Sequence, residues 1–230
     1  MPGRAPSPLK MLASLSAALV FAGTLQAATL TYRFFAGKDT VVSTCVVSKD
    51  GAGTKISSEW RSDTVDFRNE LFIDKSMQDR TWTGVNERNG TVVRLVRSGD
   101  GIVLSGTFRG KPVAKTFPLN SSAWKQMMPY DLGDFALSTV ASLTFTGVGL
   151  MGPYALKPYT LRAQRMGEET VAVQGAAMAA IHVRIAPTGL LAALWHGDYW
   201  FRKSDGVFVK SVSSGVPGSP GATMVLVGER

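Results

Sequence analysis

RTWTGVNERNGTVVRLVRSGDGIVLSGTFRG, residues 80–110, decides the fold class. Apolar and polar side chains alternate along it with a period of two, so each segment buries one face and wets the other. Asn89-Gly90 reads as a hairpin turn, because both residues tolerate the positive φ that a type I′ turn demands at its two central positions. Gly99-Asp100-Gly101 marks a second turn. Three strands in a meander follow from this stretch alone.

Working outward, the same rhythm holds. Upstream lie TLTYRFFAG, with Leu30, Tyr32 and Phe34 on one side, then TVVSTCVVS, TKISSEWRS and TVDFRNELFID, whose apolar members are Val65, Phe67, Leu71 and Ile73. Gly37-Lys38-Asp39 and the run from Lys49 to Gly53 separate the first of them. Downstream, PVAKTFPL closes the first half. After residue 155 the chain returns to strands: ALKPYTLRAQRM, ETVAVQG, MAAIHVRIA, LLAALWHGDYWFRK, VFVKSVSS and TMVLVG. Turns are expected at Gly167-Glu168, Gly175, Pro187 to Gly189 and Asp205-Gly206. Short strands at such spacing signal a sandwich, a barrel or a large curved sheet.

The middle has a different period. Asp131 is placed as the N-cap of DLGDFALSTVASL, in which Leu132, Phe135, Ala136, Thr139, Val140 and Leu143 fall on one helical stripe. Gly133 weakens such a helix by ~1 kcal/mol. The Gly-rich TFTGVGLMGPY after it reads as a loop or bulged strand. A single amphipathic helix must cover its stripe, and an open sheet of about ten strands tends to curl. The expectation is therefore a mainly β protein: one large curved antiparallel sheet, a half-barrel, wrapped around one central amphipathic helix, with room for an apolar cavity between them.

The N-terminus reads as an export signal. Arg4 and Lys10 precede Leu12 to Ala22, an apolar run too short to span about 30 Å of hydrocarbon, and Leu25-Gln26-Ala27 offers a small residue for cleavage. Residues 1–27 are thus expected to be removed and residues 28–230 to form one domain, periplasmic or secreted, with no transmembrane helix. The sole cysteine, Cys45, sits in a β-branched run and reads as a buried thiol, so no internal disulfide forms and no lipid is attached behind the signal. Net charge falls from +8 to +6 when Arg4 and Lys10 leave. That balance favours contact with anionic lipid head groups or peptidoglycan-associated acids. The cations are spread singly, however, and clusters fit for nucleic acid are absent.

The second half carries ETVAVQGAAMAAIHVRI, then ALWHGDYWFRKSDGVFVKSVSS, then GSPGATMVLV. An acid-led strand reaches a Gly, returns as a Val/Ile-rich strand and continues into one bearing a Trp. From about Leu156 to Val227 this resembles a family of exported bacterial half-barrel proteins of unknown function, related in fold to the lipoprotein carriers LolA and LolB. The resemblance implies the half-barrel fold and a cell-envelope role in which an acyl chain, lipid or lipoprotein is bound. It supplies no catalytic residues.

Chemistry-bearing residues are few. His182 and His196 are the only histidines, and Asp198, two residues beyond His196, could orient its imidazole. A metal site needs three or four ligands, and no Gly-x-Ser-x-Gly elbow occurs. No catalytic residue, metal or cofactor is therefore expected. Aromatic and apolar side chains are the better candidates: Leu132, Phe135, Val140, Leu143, Phe145, Leu150, Met151 and Trp195 as the lining of an apolar ligand site. Three readings stay open: a carrier of an apolar ligand, a structural or interaction module partnered by another envelope protein, and a hydrolase acting through His196 and Asp198.

Overall fold

The structure, a computed structural model, describes residues 26–63, 65–150, 155–189, 195–214 and 221–230. The first half is a meander of eight strands: β1 (Gln26–Ala36), β2 (Asp39–Lys49), β3 (Gly53–Arg61), β4 (Asp66–Asp74), β5 (Asp79–Asn86), β6 (Thr91–Ser98), β7 (Gly101–Phe108) and β8 (Lys111–Pro118). A two-residue strand β9 (Ala123–Trp124) and a one-turn helix α1 (Gly133–Leu137) follow. The second half is β10 (Ser142–Val148), β11 (Pro158–Val173), β12 (Ala176–Pro187), β13 (Gly197–Arg202), β14 (Phe208–Ser213) and β15 (Ala222–Glu229).

The fifteen strands of the described residues form one open sheet, ordered from β8 at one edge through β1 to β15 and on to β9 at the other. The pairing is antiparallel throughout except between β9 and β10. The chain runs outward from β1 to β8, crosses once to the far edge, and returns so that its last strand lies beside its first. A flat sheet would set β5 and β9 about 50 Å apart, eleven strand spacings of about 4.8 Å. Yet Lys125, just after β9, reaches Asp79 at the start of β5 with 3.2 Å between Nζ and Oδ1. Lys115 on β8 likewise donates to the Leu156 carbonyl at 3.4 Å. The sheet has curled until its two ends meet, without a ladder joining them.

The inner face is the one that the alternation marks: Leu30, Tyr32, Cys45, Ile56, Leu71, Trp82, Leu95, Leu104, Ala163, Val183, Phe201 and Leu226 are all buried. Cys45 is among them, and burial pushes its thiol up to about 12. A bulge between Arg165 and Gly167 breaks the register of β11 against β12. The strand continues through Gly167-Glu168, where the sequence suggests a turn.

Turn chemistry also differs from expectation at Asn89-Gly90. The Asn89-Gly90 hairpin exists, but Glu87–Asn89 forms a turn of 3-10 helix with Asn86 as its cap, and only Gly90 has a positive φ. The two-residue hairpin turns with positive φ at both positions, among the described residues, are Arg109-Gly110 and Gln174-Gly175. In a hairpin of that kind the flanking pair, Phe108 and Lys111, exchanges both hydrogen bonds. Pro112, Ala114, Thr116 and Pro118 therefore turn their backbone groups outward on edge strand β8. Proline has no N–H, so a foreign strand finds only the amides of Ala114 and Thr116 there.

The expected helix is the main correction. It ends at Leu137, not Leu143, and it does not begin on an Asp131 cap: the N-cap is Leu132, without a side-chain hydrogen bond. The Asp131 carboxylate accepts from the Met127 amide instead. Ser138 is extended, with its amide closing onto the Asp134 and Phe135 carbonyls. From Ser142 the chain pairs with β11. Thr144, Thr146 and Val148 are β-branched and suit that strand better than a helix, so tertiary pairing overrides the apolar period. Gly147 has a reason to be glycine here. It faces Tyr159 across the β10–β11 pair, and a Cβ would lie 2.5 Å from the phenol. Gly147→Ala is expected to cost about 1–3 kcal/mol by displacing that ring. Most of the loss should disappear in a Tyr159→Leu background, with both compared by urea unfolding.

Candidate functional site

The crossing segment, residues 119–137, is what the curled sheet closes around. Leu119, Trp124, Met127, Leu132, Phe135 and Ala136 are all buried. Apart from β9 and the single turn of α1, the segment is irregular. The hollow is thus stoppered by a plug in which the short helix is only one part.

Its fastenings can be read contact by contact. Tyr130 packs between Tyr32 and Phe208, with ring centroids 5.4 and 6.0 Å away, and the Tyr32 hydroxyl donates to the Phe208 carbonyl at 2.9 Å. Gln126 acts as a piece of strand: its side-chain amide donates to the Val148 carbonyl at 2.8 Å and accepts from the Val148 amide at 3.0 Å. The Gln126 backbone amide donates to Asp79 Oδ2 at 3.0 Å. Beside it stands the buried pair of Lys125 and Asp79. Asp131, also buried, lies close by with Oδ1 unbonded.

Two carboxyls and one ammonium share that place. Burial and the neighbouring Asp131 push the Asp79 carboxyl well above its ordinary range. Burial alone would lower Lys125, but Asp79 and Asp131 outweigh it and hold the ammonium above its usual value. The plug is pinned to β5 by a charge that stays on. A cleft of about 360 Å³ reaches this point from outside between β5, β6 and β10, lined by Gln78, Arg97, Ser121, Lys125 and Thr144 among others.

The side chains expected to line a ligand site divide. Leu132, Phe135 and Phe145 meet inside the hollow, where all three are buried. Leu150 and Trp195 are half-buried against the same core, and Leu143 sits on β10 at the rim of the cleft. Val140 does not belong: with the helix ended it is 52% exposed. Met151 lies outside the described residues. Lys125, Asp79 and Gln126 escaped the sequence reading. The only available signal was Lys125-Gln126 set between Trp124 and Met127; Asp79, between Gln78 and Arg80, carries none.

The histidines are elsewhere, on the outer face. Asp198 is held not chiefly by His196, whose Nε2 is 3.9 Å away, but by His182 across the β12–β13 pair at 2.7 Å and by Arg184 at 2.9 Å. His182 Nδ1 lies 3.1 Å from Glu169, and its ring stacks on Trp200. Burial works to raise Asp198, but the hydrogen bonds from Arg184 and His182 hold it below the usual carboxylate range. Among the described residues no group of three His, Cys, Asp or Glu side chains is placed to hold a metal. No helix among them is long and apolar enough to cross a membrane.

No family model matches the chain, and no curated protein matches it in sequence. Solved structures do. A β-barrel-like protein of the DUF1849 family, a domain of unknown function, from Brucella abortus superposes with a TM-score of 0.59 at 10% identity, covering 88% of this chain and 96% of that one. The hypothetical lipoprotein YmcC of Escherichia coli aligns over 87% of this chain and 86% of its own at 12% identity, with a TM-score of only 0.38. An outer membrane lipoprotein-sorting protein domain from Vibrio parahaemolyticus gives 0.37 at 10% identity over 89% and 84%. The half-barrel resemblance read from the second half of the sequence is upheld at the level of fold: this chain shares the architecture of the DUF1849 protein of Brucella abortus.

Proposed function

We propose that the chain is exported to the cell envelope and works there by binding, not catalysis, taking an acyl chain or similar apolar ligand onto the inner face of its sheet when the plug yields. One observation carries this reading. The inner face is apolar from strand to strand, while its cover is an irregular segment pinned at a few points. Covers of that kind open more readily than a core strand. Each methylene taken from water contributes ~0.8 kcal/mol, so several are needed to offset displacing the plug and ordering the ligand. His182 supports a non-catalytic role, since both its ring nitrogens face carboxylates on the outer surface.

The test is lipid extraction from the purified protein followed by mass spectrometry, with titration of a fluorescent fatty acid alongside. A bound acyl species, or saturable uptake of the probe, is the expected result. Protein that comes out empty and ignores the probe even with the Lys125 pin removed would sink the carrier reading. The alternative is favoured by a different observation: Trp124, Leu132 and Phe135 already occupy the hollow. A filled interior suits a structural module of an envelope assembly, whose expected signature is one stoichiometric partner retained through purification.

A further inference from the structure

On the outer face, cations and apolar side chains alternate across the sheet in a single register row. Trp200 on β13 stands opposite Lys210 on β14, Lys210 opposite Val225 on β15, and Val225 opposite Arg33 on β1. The row continues through Val42 on β2 to Arg61 on β3. Five strand spacings make it about 24 Å long. One step along the strands, Phe35 and Val212 flank the same row, and with Val42 they are 38–47% exposed. Among the described residues, neither Arg33 nor Lys210 forms an ion pair. The ammonium of Lys210 lies over the Trp200 ring, 5.4 Å from its centroid. At the margin, Asp198 and Glu169 are already engaged by Arg184, His182 and the Trp200 indole N–H.

We propose that this outer belt docks the protein on the surface of an anionic phospholipid bilayer. Charge complementarity selects the partner: Arg33 and Lys210, both unpaired, meet phosphate head groups, while Arg61 is paired with Glu59, on a chain whose net charge is +6 once Arg4 and Lys10 have left. The interleaved Phe35, Val42 and Val212 select a bilayer over a soluble polyanion. A polyanion gives exposed apolar side chains nothing to gain, whereas a membrane interface lets them sink below the head groups beside the cations. The docking surface lies on the opposite face of the sheet from the hollow and does not depend on whether the hollow takes a ligand.

The experiment is co-sedimentation of the protein with vesicles of zwitterionic phospholipid, alone or mixed with anionic phospholipid. Binding is expected on the mixed vesicles, weakening with salt, and little on the zwitterionic ones. The double variant Arg33→Glu, Lys210→Glu should lose affinity about tenfold or more. Phe35→Ser should weaken binding on its own. Lys111→Glu with Lys115→Glu, the same charge change on β8, should leave it intact. These side chains are exposed or half-exposed, and circular dichroism verifies that each variant is folded. Equal losses in the two charge reversals would overturn the proposal. So would equal binding to zwitterionic vesicles, or heparin held as tightly as vesicles with no effect of Phe35→Ser. Because the readout ignores the hollow, a protein that carries no acyl chain can still pass.

Discussion

Lys125→Met is expected to destabilise the protein by about 3–5 kcal/mol near neutral pH, the usual consequence of removing one partner from a buried ion pair. The methionine keeps the apolar stem, so the loss reports the missing charge. Asp79 and Asp131 would then face each other without a cation, and the Gln126 amide would be the main remaining tie between plug and β5. The pH dependence has a definite sign. Asp79 is raised in the folded protein, so its contribution is present below the unfolded value of about 4 and is lost as pH climbs through the folded value. Removing Lys125 raises it further. The deficit of the variant should therefore be largest near pH 7 and shrink as the solution is acidified. Urea unfolding followed by tryptophan fluorescence measures both. The double variant Asp79→Asn, Lys125→Met should recover much of the loss, since a neutral pair leaves no stranded charge beside β5. A single variant within about 1 kcal/mol of the parent would mean that the plug is not pinned there.

Trp82→Ala should cost about 3–5 kcal/mol, as large-to-small changes in a packed interior do. The indole is buried on the inner face of β5, donates to Asn69 Oδ1 at 3.3 Å, and lies across Gly84, where a Cβ would come within 2.2 Å of the ring. Glycine at 84 is what gives the ring its place, so the alanine at 82 leaves a void and an unpaired amide oxygen together. Trp195, half-buried, provides the comparison: its alanine variant should lose clearly less. Equal losses at the two positions would show that the β5 ring is not the packing centre assigned to it.

The sheet was legible because its signal is local. Alternation in residues 80–110 follows from which side chains meet water, and the turns at Gly37, Gly99 and Gly175 follow from backbone freedom. The plug was not legible. Leu132, Phe135 and Ala136 keep helical spacing and are indeed buried, but Thr139 to Leu143 carry the same spacing by coincidence. What decides the conformation from Ser142 on is β11, whose paired residues begin some twenty positions further along and whose free edge needs a partner. Asp198 teaches the same lesson. Its neighbour in sequence is His196, yet its close partner, His182, is fixed by strand register, which no local pattern reveals.

The pairing of β1 with β15 sets the timetable of folding. Leu30 stands opposite Glu229, and Thr29 and Arg230 exchange backbone hydrogen bonds at 2.9 Å, so the two halves of the sheet are joined only by strands nearly the whole chain apart. Loop closure over that distance comes late and slowly. Until β15 emerges, the inner strand β1 is itself an unprotected edge, without the prolines that guard β8. The nascent chain consequently passes through an interval in which it is most prone to wrong partners, and a chaperone that holds it until the final strand arrives would have its greatest effect there.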